Sequence, residues 1–420
     1  MSGLRVNLLD LVFPLARAID RMNPAVAAHH MQVAYLSLRL AEELGFPPAE
    51  TGQIAVAGAL HDIGAFTLKG RLDLLEFEDA RPGHHSIAGA LFLRQFEPFH
   101  AIADMVRFHH QPWRDGAGAA VAGLPVPRGS HVLHLADRVA VLLPKNGHVL
   151  GGVGKIVRAI EAKSGGVFVP EFVEALKRLA KRDYIWLAAT SNAIESILQR
   201  NVSLGGQELD LDGLLDFARL FMRVIDFKSP FTVTHSSGVA ASAVAMARLE
   251  GFTAEDCTMM EVAGYLHDLG KIAIPAELIE KPARLTDDEY HVMRSHVYYT
   301  HEILGPVDAL REITSWGALH QERLDGSGYP FGLTGAQLPL GARLMAVADV
   351  FTALAEDRPY RKGMPKPEAM DVLSDMARAG KLDSVLVQSL ERHYEAIDAA
   401  RAQAQDRARR EYAEFTASIA

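Results

Sequence analysis

The chain reads as an all-α protein made of a duplicated helical unit, on three observations. Apolar residues recur at helical spacing through almost the whole sequence. Few stretches alternate with period two, so very little strand is expected. A series of histidines and aspartates in the first half returns in the second at matching offsets, the mark of an internal duplication.

Taken in order, Val6–Ala18 is an apolar run broken by Asp10, Pro14 and Arg17. It is too short and too punctuated to span a bilayer, and it lacks a clear signal-peptide cleavage site, so it reads as a packing helix. Ala25–Leu44, Ala49–Ile63, Ser86–Phe96, His131–Leu143 and Pro170–Lys181 fit helical spacing. Gly45–Pro48, Asp115–Ser130, Gly151–Gly154, Gly165–Gly166 and Asp325–Gly341 carry the turn residues. Asp183–Arg200 is expected as helix, Asn201–Asp212 as polar connection and Gly213–Phe227 as the helix entering the second unit. Thr253–Asp256 reads as a helix start, since a threonine side chain caps free N–H groups and acids favour the first turn. Gly270 reads as that helix's stop, through the left-handed conformation glycine tolerates. Ala396–Ala420, rich in Ala, Arg and Glu, is expected as one exposed helix. The division that follows is 1–190 for the first unit, 191–225 for a helical linker, 226–395 for the second unit and 396–420 for the terminal helix.

The repeat is quantitative. His29 stands 32 residues before the pair His61-Asp62, and His235 stands 32 before His267-Asp268. His85 and His296 follow 24 and 29 residues on; His109 and His320 each follow after a further 24. Asp137 and Asp349 close the series after 28 and 29. Imidazole and carboxylate groups on separate helices suit iron, manganese or zinc. A buried carboxylate beside an imidazole needs compensation, and a divalent cation is a strong local source of it. One aspartate between two ligand groups can bridge two ions, an arrangement suited to in-line phosphoryl displacement.

Composition bounds the rest. At 420 residues, 49% hydrophobic and 23% charged, the chain is globular and large enough for two or three domains. A net charge of −9 argues against a nucleic-acid polymer as partner, though not against a local basic pocket. The single cysteine, Cys257, can form no internal disulfide, which fits a reducing compartment. A cytoplasmic protein away from the membrane is expected.

The second unit resembles an HD-GYP domain, a branch of the HD phosphohydrolase superfamily. The resemblance is carried by HSSGVA (His235–Ala240), LHDLGKI (Leu266–Ile272), MRSHVYYTHEIL (Met293–Leu304), LHQERLDGSGYP (Leu319–Pro330), ARLMAVADVFTAL (Ala342–Leu354) and DRPYR (Asp357–Arg361). It implies an all-helical, metal-dependent phosphodiesterase for a cyclic dinucleotide, cyclic di-GMP first and 3′,3′-cyclic GMP-AMP second. It implies two divalent ions, iron or manganese, held by His235, His267, Asp268, His296, His320 and Asp349, with Asp268 as the bridge. Lys271 would stand beside the scissile phosphate. Arg358 and Arg361 would face the substrate's phosphates and bases, Tyr329 would pack on a base, and Asp325 and Gly326 would shape the turn. The sequence departs from the family pattern at Gln321, a weak ligand where a second histidine is usual, at Phe231 in place of a glutamate, and at Thr352 in place of an aspartate. The first unit resembles a general HD domain. Its ligand set is His29, His61, Asp62, His85, His109, His110 and Asp137, with Ala65 where the second unit has Lys271 and no GYP turn. It reads as a metal-stapled regulatory unit, an active phosphohydrolase on another nucleotide, or an empty site. Catalytically weak nucleotide binding is the rival for the whole protein. A homodimer or a signalling partner remains open.

Overall fold

The computed structural model describes residues 3–419 apart from 21–27, 66–82, 145–147, 207, 228–231, 282 and 358–361. Phe231, Arg358 and Arg361 therefore lie outside the described residues. The fold is all-α, and among the described residues strand is confined to two-residue pieces. The chain divides into two units, Asn7–Glu208 and a second that runs over Leu209–Ser418.

In the first unit, α1 (Leu9–Asp20) precedes α2 (His29–Glu43), α3 (Pro48–Leu60), α4 (Gly83–Leu93), α5 (His100–Arg107) and α6 (Arg128–Leu142), which carry the candidate ligands on them or just past their ends. α2 packs against α3 and α6. α7 (Val153–Glu161), α8 (Pro170–Leu179), α9 (Asp183–Ala189) and α10 (Ile194–Asn201) follow. In the second unit the site is framed by α11 (Leu211–Asp226), α12 (His235–Leu249), α13 (Ala254–Leu266), α14 (Asp287–Leu304), α15 (Arg311–Gly317) and α16 (Leu340–Ala355). α17 (Lys366–Arg378), α18 (Ser384–Arg392) and α19 (Tyr394–Ile419) complete it.

One packing device recurs. A Cβ on Gly58 would sit 2.9 Å from the Cα of Ala34, and one on Gly264 would sit 2.6 Å from the Cα of Ala240. Small residues at these crossings let α2 meet α3, and α12 meet α13, almost backbone to backbone. That closeness sets the leading histidine of each unit across from its His-Asp pair. Thr253 starts α13 as expected, in a reciprocal cap with Asp256.

Three expectations are corrected. Gly270 does not end a helix in the left-handed region. α13 ends at Leu266 and the chain continues in a tight turn over Leu269–Ala273. Gly270 is needed because a Cβ there would lie 1.9 Å from the carbonyl oxygen of His296 on α14. Asp183–Arg200 is two helices rather than one. Thr190 Oγ1 donates back to Trp186 O (3.1 Å) and Ser191 Oγ accepts from Ala193 N (3.1 Å), so side chains take over backbone partners and interrupt the helix. Finally, α19 is not simply an exposed helix: Ile397, Arg401, Ala404, Gln405, Ala408 and Phe415 are buried.

Candidate metal centre

In the second unit the candidate imidazoles include His235 at the start of α12, His267 just past the end of α13 and His296 within α14. His267 Nδ1 donates to Gly264 O (2.7 Å) and His320 Nδ1 to Gly317 O (2.7 Å); His296 Nδ1 does the same to Met293 O. A carbonyl only accepts, so each Nδ1 carries a proton, and a ring in its neutral form presents its Nε2 lone pair. Those Nε2 atoms point at carboxylates. His267 and His296 lie 3.1 Å from the two oxygens of Asp268, and His235 lies 3.2 Å from Asp349. His267 Nε2 is buried and has no hydrogen-bond partner among the described residues. Lone pairs converging on carboxylate oxygens with an orphaned nitrogen among them are what a divalent cation satisfies. The donor set fits one.

His235, His267 and Asp268 offer donor atoms within 4.8 Å of one another, and so do Asp268, His296 and His320. Asp268 is common to both groups, the geometry of a bridge. Burial works to raise its pKa but is outweighed by the His267 charge, the Lys271 ammonium and the hydrogen bonds it accepts, so it stays well below the usual carboxylate range. Burial, with His267 beside it, pushes His320 down to about 3, leaving it neutral as a ligand must be. Lys271 follows in the same turn, its Nζ 2.5 Å from Asp268 Oδ2. Gln321 uses its amide nitrogen to donate to Asp349 Oδ2 at 3.1 Å, so it steadies a ligand in this structure.

The GYP turn is built from its own chain. Asp325 Oδ1 accepts from Ser327 N (2.9 Å) and Oγ (2.7 Å), and Gly326 takes φ +79°. Tyr329 is half-buried, with the Arg294 guanidinium 4.4 Å from its ring centroid.

Several supporting residues were missed in sequence. Glu322 is buried and accepts from Phe331 N (2.7 Å) and Leu333 N (3.0 Å), anchoring the turn. Glu356 accepts from His235 Nδ1 (3.0 Å) and from Gln405 Nε2 of α19 (3.0 Å), so the terminal helix helps to orient a candidate ligand. Asp226, at the end of α11, accepts from Ser236 N (3.2 Å) and Oγ (3.0 Å), and burial pushes its pKa up to about 7. Its equivalent in the first unit is Asp20, since each stands nine residues before the leading histidine. That shared offset was a legible signal.

The first unit repeats the design. His61 Nδ1 bonds Gly58 O (2.9 Å) and His109 Nδ1 bonds Val106 O (2.6 Å). His29 Nε2 lies 3.3 Å from Asp137, and Asp62 is approached by His61 (3.3 Å), His85 (3.4 Å) and His109 (3.6 Å). Two donor groups form here from the expected ligands: His29, His61 and Asp137; and Asp62, His85, His109 and His110. A third is made by His30, His61 and Asp62. Asp137 is also held by Arg138, 2.7 Å away and equally buried.

Comparison with known proteins agrees with both halves. Models of the HD domain match residues 26–142 and residues 219–386. The chain is 30% identical over 405 residues to the "3'3'-cGAMP-specific phosphodiesterase 1" of Vibrio cholerae, covering 93% of each. It is 40% identical over 162 residues to the "Cyclic di-GMP phosphodiesterase response regulator RpfG" of Xanthomonas campestris, covering 38% of this chain and 42% of that one. A solved structure of a cyclic GMP-AMP-specific phosphodiesterase of V. cholerae shares the fold, with TM-score 0.65 and 20% identity over 94% of this chain and 97% of that one. HD domains are metal-dependent, and the donor groups above suit that dependence. With an HD domain in each half and a relative matched along nearly its full length, this chain belongs to the HD-GYP phosphodiesterase family.

Proposed function

We propose that the second unit hydrolyses a cyclic dinucleotide at a phosphodiester bond, giving a linear dinucleotide that a second cut takes to mononucleotides. The observation that carries the reading is Asp268, shared between two donor groups with the Lys271 ammonium against it. In this reading His235, His267, Asp268, His296, His320 and Asp349 hold two ions, and the imidazole-carboxylate set favours iron or manganese. Such a pair, when bound, polarises a phosphate and activates water for attack on it. Asp268 remains ionised through the neutral range and so holds its place between the two groups. Lys271 stands where it can stabilise charge developing on the phosphate or assist the departing ribose oxygen. Arg358 and Arg361 offer guanidinium groups to the second phosphate and the bases, and Tyr329 a ring face. Asp325 and Gly326 set the path of the turn that carries Tyr329.

Cyclic di-GMP and 3′,3′-cyclic GMP-AMP are both candidate substrates; the relative matched along both units, named for the latter, favours 3′,3′-cyclic GMP-AMP. The first unit, with Ala65 in place of the lysine, is read as a metal-held regulatory unit. Turnover of both compounds by anaerobically purified protein loaded with Fe(II) or Mn(II), against Asp268→Ala, tests the enzyme reading. No metal-dependent turnover of either compound sinks it. One observation favours a second reading: Gln321 stands where the first unit has His110, leaving the second with fewer donors. In that reading the unit binds the nucleotide and signals to a partner without cutting it, and saturable binding without hydrolysis, unchanged by Gln321→His, would support it. No described helix is long and apolar enough to cross a membrane, and we place the protein in the cytoplasm on its composition.

A further inference from the structure

His30 has no counterpart as an imidazole in the second unit. Each leading histidine is followed by a residue that bonds the buried aspartate of the preceding helix. In the second unit that residue is Ser236, and its hydroxyl is spent on Asp226 at 3.0 Å. In the first it is His30, whose N and Nδ1 donate to Asp20 Oδ1 at 3.0 and 2.7 Å. A serine that has donated its one O–H keeps only the lone pairs of a neutral hydroxyl, a poor ligand beside an imidazole. An imidazole that has given its Nδ1 proton to a carboxylate still has the Nε2 lone pair.

That atom is buried. His30 is 2% exposed, and its Nε2 has no hydrogen-bond partner among the described residues. It is not isolated from the site: His30 presents a donor within 4.8 Å of donors from His61 and Asp62, and its ring centroid lies 5.2 Å from that of His61. His61 Nε2 and Asp62 Oδ1 are likewise buried without hydrogen-bond partners. Two unsatisfied imidazole nitrogens, His30 Nε2 and His61 Nε2, beside the Asp62 carboxylate are costly to bury unless a cation gathers them.

We propose that His30 is a metal ligand of the first unit, joining His61 and Asp62 around a divalent transition-metal ion, with Asp20 orienting the imidazole. This rests on the reading that the first unit holds metal. A carboxylate behind a ligand imidazole fixes its tautomer and raises its basicity, and losing such support costs roughly 10–100-fold in affinity. The first unit thereby has one more imidazole donor than the positions its sequence shares with the second.

The test uses the full chain carrying Asp268→Ala, which disables the second unit's shared ligand, titrated with Mn(II) alone against a competing chelator. His30→Ser preserves the bond to the helix-end aspartate, as Ser236 does, and removes only the spare nitrogen. The expected result is at least a tenfold fall in Mn(II) affinity with the melting temperature of metal-free protein unchanged. Asp20→Asn, which keeps the imidazole but loses its acceptor, should give a smaller fall in the same direction. If His30→Ser binds Mn(II) as tightly as its parent while His61→Ala does not bind it, His30 is only a core imidazole and the inference is overturned. If the parent itself binds no Mn(II) and His61→Ala changes nothing, the metal reading of the first unit fails, and the inference with it.

Discussion

The two HD units hold one scaffold to different chemistry, and the differences sit at three positions. Where the first has His110, the second has Gln321, donating to Asp349. Where the first has Ala65, the second has Lys271 against its central aspartate. Where the first has His30, the second has Ser236. The first unit accumulates imidazoles; the second gives some up and adds an ammonium and a turn anchored on Glu322. On the proposed reading, holding cations and handling a phosphodiester are separable tasks on the same helices, and a lysine and a loop mark the unit that does the second.

The sharpest way to break that comparison is to remove each central aspartate. Asp268→Ala should lower cyclic-dinucleotide turnover by about a thousandfold or more, whereas Asp62→Ala should leave most of it. Equal losses in a direct assay would mean the units do not divide the work. Next, Lys271→Ala should cost roughly 10²–10³-fold in kcat with metal content unchanged, separating phosphate stabilisation from metal retention. A full-rate Lys271→Ala enzyme would make the lysine merely a partner of Asp268. Gly270→Ala should destabilise by about 1–3 kcal/mol in chemical denaturation, because its Cβ meets the His296 carbonyl. Gly64→Ala should do likewise, since its Cβ would lie 2.2 Å from His85 O; unequal effects would show that one unit can give way at this crossing. Gln405→Ala should weaken Mn(II) binding about tenfold through Glu356 and His235, without altering the first unit's affinity.

The smallest effect is a slope. Asp226 titrates near pH 7 in the fold against 3.8 unfolded, so between those values the folded chain keeps a proton the unfolded chain has lost. The stability this contributes is complete at the low end of the window and falls as pH rises to about 7. Denaturant melts of metal-free Asp226→Asn should lack that fall; a curve matching wild type would place the proton elsewhere.

The residues that cluster as candidate ligands were legible in sequence because metal chemistry admits few residue types and the duplication printed their spacing twice. The helices were legible because their apolar faces are regular. Gly270 was misread because its reason lies on another helix: nothing local announces that α14 crosses there. Glu356 and Gln405 were hidden for a related cause. The partner of a ligand's outer nitrogen can come from any element that folds back, and an Ala-Arg-Glu stretch carries no apolar stripe to say that it does. In α19 the inward face includes Arg401 and Gln405, polar residues satisfied by one another and by Asp398 and Glu356.

That last arrangement has a consequence for biosynthesis. Translation delivers His235 first, Glu356 more than a hundred residues later and Gln405 after that, so the outer nitrogen of the leading histidine gains its full bracing only once Gln405 has been made. The first unit's cluster closes with Asp137 and Arg138, while the whole second unit is still unmade. If the first unit holds metal as proposed, a nascent chain can capture a cation in one half long before the other half is fit to receive any.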